Sequence, residues 1–136
     1  LLKKKKRRKK MAVTHPTLVR TGVADFVVDQ IDEGTPPGLL LFLTSADATV
    51  CTVTLNNPAF GAAASGIATL DVDPVLTSNG ATAGTIAKAE FRNAAGTAKI
   101  LCAVSTTGSD INIPGGLTLA TSDTVTVTSL TYTAPA

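Results

Sequence analysis

From Leu39 to the C-terminus the chain is written in short segments where apolar and polar residues alternate. These are broken every few positions by Gly, Pro, Asn or Asp. A side-chain period of two belongs to strands with one face buried and one in water, and a helix cannot accommodate it. Composition agrees: 22 Thr and 20 Ala stand in 136 residues, while aromatics make up 4% and charged residues 16%. Threonine fits a pleated, half-buried surface, and low charge with 44% hydrophobic residues excludes a disordered chain. The length suits one domain.

One stretch departs from this period. Between Thr17 and Glu33, the residues Leu18, Val19, Val23, Phe26, Val27 and Ile31 recur at intervals of three and four. Arg20, Asp25, Asp29 and Asp32 fall largely opposite them, which predicts an amphipathic helix over about 17–33 with that apolar face inward. Pro16 suits its entrance, and Gly34 with Pro36-Pro37 stops it. Its β-branched content makes it weak alone, and Gly22 weakens it further unless a backbone approaches closely there.

After Gly38, Leu39–Leu43 reads as a strand covered on both faces, one cover being the helix. Thr49–Leu55 turns Cys51, Val53 and Leu55 one way, and Ile67–Val72 does the same with Ala68, Leu70 and Val72. Residues 83–92 place Ala87, Ala89 and Phe91 inward. Asn93-Ala94-Ala95-Gly96 is a hairpin loop, and Thr97–Ser105 returns with Ile100, Cys102 and Val104 on one face. A short Asp110–Ile113 segment follows. In the last strand, Thr124–Thr133, the phase of Val125 and Val127 differs from that of Leu130 and Tyr132, which requires a bulge near Thr128-Ser129. The expectation is a mainly β fold: an antiparallel β-sandwich of six to seven strands with one N-terminal helix. A basic leader, 1–10, precedes a single domain, 11–136.

The net charge of +2 conceals an asymmetry. Residues 1–10, LLKKKKRRKK, hold eight of the twelve basic residues. From Met11 onward four basic side chains face ten acidic ones, a net of −6. Such a basic run is one means of binding nucleic acid or an anionic surface. It can also be encoded entirely in purines: Arg7-Arg8 as AGG-AGG would be a ribosome-binding sequence, with Lys9-Lys10 spacing it from Met11. We read it as an untranslated leader, the alternative being a genuine arm. No apolar h-region follows Leu1-Leu2, and no run of about 20 apolar residues spans a membrane.

Catalytic chemistry finds few candidates. His15, ahead of the helix, is the one histidine, and a Ser-His-Asp or Cys-His arrangement would have to use it. Cys51 and Cys102 are too few for a structural zinc site. Both fall on inward phases, so they read as buried thiols or, less favoured, as a disulfide. Asp71 and Asp73 share a strand side, but the six to eight ligands of calcium are not supplied nearby. No phosphate-binding glycine motif is present. Thr124, Thr126 and Thr128 belong to threonine stripes that suit a solvent face or docking on another subunit. Low charge and exposed strand edges favour assembly.

The segments Thr54-Leu55-Asn56-Asn57-Pro58-Ala59-Phe60-Gly61, Phe91-Arg92-Asn93-Ala94-Ala95-Gly96-Thr97, Gly108-Ser109-Asp110-Ile111-Asn112-Ile113 and Val125-Thr126-Val127-Thr128-Ser129-Leu130-Thr131 together resemble a family of small structural proteins. That family is encoded in tailed-bacteriophage and prophage morphogenesis regions. The resemblance implies a virion component, assembled in the bacterial cytoplasm, without catalytic residues, metal or cofactor. Its expected role is a capsid decoration or cement protein binding the major capsid protein or other virion subunits, as a homo-oligomer. A tail or baseplate component is the alternative, and a β domain tethered to nucleic acid through residues 1–10 is a third. No small-molecule substrate or membrane partner is expected. Ala59, Phe60 and Gly61, with Thr124, Thr126 and Thr128, are the expected partner contacts. If the leader is untranslated, peptide mapping of the native protein will begin at Met11 or just after it; a peptide crossing Lys10–Met11 would show the arm to be real.

Overall fold

The computed structural model describes residues 13–34 and 37–136, so the basic leader, the expected start at Met11 and Pro36 lie outside the described residues. The alternating segments pair as their period requires. Strands β1 (Leu39–Leu43) and β2 (Thr49–Thr54) are joined by a turn in which Thr44 donates its backbone N–H to the Ala48 carbonyl at 2.8 Å. After three short strands, β3 (Ile67–Thr69), β4 (Leu76–Thr77) and β5 (Gly84–Thr85), come β6 (Lys88–Arg92) and β7 (Ala98–Ser105). The chain closes with β8 (Ile111–Asn112), β9 (Thr118–Leu119), β10 (Thr126–Val127) and β11 (Thr131–Thr133).

Five strands form one sheet in the order β2-β1-β6-β7-β8, antiparallel except where β7 and β8 run parallel. The other six make three antiparallel ladders, β3 with β11, β4 with β10 and β5 with β9. These ladders are nested, so residues 67–85 and 118–133 run past one another as a broken ribbon. Single bonds such as Leu70 N–H to Leu130 O and Ser78 N–H to Val125 O fill the gaps. The ribbon hangs on the outer edge of β2: Asn79 donates to Thr52 O, and Thr82 to Val50 O. The mainly β fold with one N-terminal helix is as expected. Among the described residues the strands are eleven short ones in a curled sheet and ribbon, with one parallel pair, rather than six to seven antiparallel ones.

The core lies on one face of the five-stranded sheet. Leu40, Phe42, Cys51, Val53, Ala89 and Phe91 from the sheet meet Ala68, Leu70, Leu76 and Ile86 from the ribbon side. Alternation puts Leu41 and Leu43 on the reverse face, in register with Glu90 and Lys88 of β6. Ala87, expected inward, is exposed; the kink between β5 and β6 turns Ile86 inward instead. The hairpin at Asn93–Gly96 forms as expected, with Gly96 at φ +84 and the Asn93 side chain accepting from Thr97 N–H at 2.9 Å. The phase change in the last strand appears as a full break. Val127 pairs with β4, Tyr132 with β3, and Thr128–Leu130 pair with neither as strand.

The helix α1 spans Thr17–Asp29 and ends in a short 3-10 turn, Gln30–Asp32. It is rolled relative to the expected orientation. Ala24, Val28 and Ile31 are buried, whereas Leu18, Val19 and Phe26 face out. The reason lies in the loop between β2 and β3, whose backbone amides lack a full set of strand partners. Asp32 Oδ1 accepts from Ala59 N–H at 2.9 Å, Asp25 Oδ1 from Ala63 at 2.7 Å, and Thr21 Oγ1 from Gly66 at 3.0 Å. Arg20 Nη2 donates to the Ala134 carbonyl at 3.2 Å, beside the last strand. Residues 21, 24, 25, 28, 31 and 32 share one helical face, so making these bonds fixes which face is inward.

Asp32 provides a test with a definite sign. Burial, partly offset by the Ala59 amide and reinforced by Asp29, raises its carboxyl pKa above 3.8. Between 3.8 and the raised value the folded state holds more protons than the unfolded one, so this group's contribution falls as pH rises through that window. Asp32→Asn keeps an acceptor for the Ala59 amide without a charge to desolvate. In urea unfolding it should match or exceed the parent at neutral pH and lose that advantage in acid. Asp32→Ala, which orphans the amide, should cost about 1–3 kcal/mol at both.

Candidate interaction surface

Because α1 docks through its polar edge and a narrow apolar strip, its remaining apolar residues are presented to solvent. Leu18 is 85% exposed, Phe26 68% and Val19 45%, with Gly22 exposed between them. At 100° per residue these positions lie within one arc, opposite Ala24. Single exposed apolar residues need no explanation, but several on one helical face make it the candidate interaction surface. Reading Leu18, Val19 and Phe26 as core was the error of the periodicity argument, which took the larger apolar arc for the inward one. The signal for the other choice was present: Ala24, Val28 and Ile31 form a second arc, flanked by the hydrogen-bonding residues Thr21, Asp25 and Asp32.

Two shallow clefts lie on the other side of the C-terminal strands. One, of about 570 Å³, has Leu40 and Phe42 in its floor and runs between Asp110–Pro114 and Val125–Thr131. The second, about 270 Å³, is bounded by Ile100–Cys102, Phe60 and Tyr132. Their acidic group, Asp110, is already engaged: its Oδ2 accepts from the outward N–H of Ala103 at 2.8 Å, next to where β8 pairs with β7. This bond blunts the β7 edge, as the ribbon covers that of β2. The exposed edges expected from the low charge are therefore partly closed, and the larger unpartnered apolar surface lies on the helix.

The expected contact residues separate into two groups. Ala59 and Phe60 are buried, at 0% and 4% exposure, with the Phe60 ring 5.8 Å from that of Phe91. They belong to the core because the Asp32 bond pulls the start of the loop inward. Gly61, Thr124, Thr126 and Thr128 are exposed. Thr126 lies across from Thr77, their hydroxyls 3.4 Å apart, and Thr85 and Thr118 repeat the arrangement at 3.0 Å. Thr131 stands opposite Thr69 in the third ladder. The ribbon thus carries a cross-strand threonine pair in each ladder, an uncharged surface of hydroxyls and methyls.

His15 is exposed ahead of α1. Asp71 Oδ1 accepts from Asp73 N–H at 3.0 Å, and Asn56 Nδ2 bonds the Asp71 and Pro74 carbonyls, which makes this segment a braced turn. Among the described residues no three His, Cys, Asp or Glu side chains converge as metal ligands, and no helix is long and apolar enough to cross a membrane. The cations Lys88, Arg92 and Lys99 pair with Asp47, Glu90 and Glu33. Lys99 and Asn93 together hold the Glu33 carboxyl below its ordinary pKa.

Cys51 and Cys102 both face the core side, as expected, yet they cannot bond. Cys51 is in register with Phe42, Phe42 with Ala89, and Ala89 with Cys102. Three strand spacings of about 4.8 Å put their Cα atoms roughly 14 Å apart, about twice the reach of a disulfide. Burial raises both thiol pKa values, that of Cys102 to about 11 with Asp110 contributing. Both should therefore resist alkylation at neutral pH until the protein unfolds, and the mass without reductant should show two free thiols. Comparison of the chain with protein-family models, with curated proteins and with solved structures gives no match.

Proposed function

We propose that this chain is a non-enzymatic structural subunit of a tailed-phage particle, acting as a decoration or cement protein on the head. The observation that carries the proposal is the outward apolar face of α1, a surface that gains by being covered by another subunit in an assembly. The phage-like segments quoted above supply the setting. Three features of the domain suit the role. Its core is closed by the docked helix, Lys88, Arg92 and Lys99 are held in ion pairs at the surface, and the ribbon offers a hydroxyl-lined face for broad, shallow contact. A cement protein works by summing modest contacts across neighbouring capsomers, so each can be weak while the assembly is firmly held.

The acidic balance of the folded domain, −6 from Met11 onward, fits a partner surface that carries basic residues. Binding to such a surface would weaken as salt is raised, whereas the helix contact would not. Immunogold labelling of intact particles from a host carrying this gene tests the proposal. Signal on heads is the expected result, and signal on tails would make the chain a tail component. Particles devoid of it would overturn the proposal. Leu18→Asp together with Phe26→Asp should reduce incorporation about tenfold or more, as loss of central interface residues does. Measured at a concentration where the chain is monomeric, the thermal unfolding temperature should remain unchanged, since both side chains are solvent-exposed.

A further inference from the structure

We infer that the outward face of α1 pairs with the same face of a second copy of this chain, antiparallel, about a two-fold axis passing close to Gly22. The inference rests on reading that face as an assembly surface, and it names the partner. Three observations carry it.

The first is Gly22 itself. It sits in the middle of the helix, where glycine weakens the structure, and a Cβ built there meets nothing within 4 Å. No close approach inside the chain accounts for it. A second helix crossing at this point does, because only glycine lets two helix backbones draw together without a side chain between them. Leu18 and Phe26 lie one helical turn on either side of Gly22. A two-fold axis there sets Leu18 of one copy beside the partner's Phe26, and repeats the contact by symmetry.

The second is charge. The helix carries Asp25 at the flank of the apolar arc and Asp29 within the arc, near its C-terminal end. In a parallel pair each would stand beside its own counterpart. In the antiparallel pair the two copies of Asp29 are separated by about 21 Å at 1.5 Å rise per residue. Each then lies level with the partner's His15, so the arrangement that satisfies the apolar faces also separates like charges.

The third is area. At their exposures in the fold Leu18, Val19 and Phe26, with Gly22 and Val23 beside them and Val13 before the helix, offer on the order of 500 Å² per copy. Two copies would cover on the order of 1,000 Å², the lower limit for a specific interface, so a weak, reversible dimer is expected. The dimer presents two ribbon faces on opposite halves, which would make it bivalent toward a repeating lattice.

Sedimentation equilibrium of the full chain in high salt, which suppresses pairing between the basic leader and the acidic domain, tests this. Concentration-dependent, reversible dimerisation is expected, and Phe26→Asp should weaken it at least about tenfold. Gly22→Leu is the decisive variant. It adds helix propensity and apolar surface, so a merely adhesive face would associate more tightly and a close-packed crossing would associate less. In a Cys102→Ser background, Gly22→Cys should cross-link on oxidation and Asp29→Cys should not. A chain that stays monomeric, a Gly22→Leu variant that dimerises as well or better, or cross-linking through position 29 would each overturn the inference. Failure here is separable from failure of the structural role. A monomer found on particles removes the dimer alone, and a dimer absent from particles removes the structural role alone.

Discussion

The amides of the loop joining β2 to β3 govern how this domain is put together. That loop has too few strand neighbours to satisfy itself. Gly61 and Ala64 bond back to Thr69 and Ile67, but Ala59, Ala63 and Gly66 take their acceptors from the helix. Rolling α1 to bury Leu18 and Phe26 would gain about 1.5–3 kcal/mol for each side chain. It would also strip three amides of their partners at about 1–3 kcal/mol apiece, and withdraw Ala24, Val28 and Ile31 from the core. The polar docking therefore prevails, and an apolar face is left in water as its direct consequence.

The same economy of hydrogen bonds shapes the rest of the sheet. The ribbon formed by residues 67–85 and 118–133 attaches to β2 through Asn79 and Thr82, closing one edge. At the other edge β8 and the Asp110 carboxylate occupy part of β7. Lysine and proline gatekeepers are scarce on these strands, and backbone coverage substitutes for them. What remains available to a partner is accordingly side-chain surface, apolar on the helix and threonine-rich on the ribbon.

Much of this was legible in the residues. Periods of two and of three to four located the helix and the principal strands. Ala68 and Leu70, Ile100 and Cys102, and the split phase of Val127 and Tyr132 all lie on the faces that alternation assigned them. The hairpin glycine at position 96 was readable because its backbone conformation is a local property. The surface was less so. Ala59 and Phe60 looked like loop residues and proved to be core, because a carboxylate 27 positions earlier holds Ala59 in place. The two cysteines shared an inward phase, but phase carries no information on how many strands lie between them.

The amino-acid order by itself determined the local periods, the turns, the acidic domain behind a basic leader and the absence of a motif for catalysis. Those properties depend on neighbours a few residues apart. Tertiary structure alone decided which of two apolar arcs on α1 is buried, which thiols can meet and which side chains are left exposed. Each of those outcomes turns on groups brought together across tens of residues, Asp25 with Ala63 and Arg20 with Ala134 among them. Hydrophobic periodicity reports that a helix has a face to bury; the unsatisfied amides it meets determine which face that is.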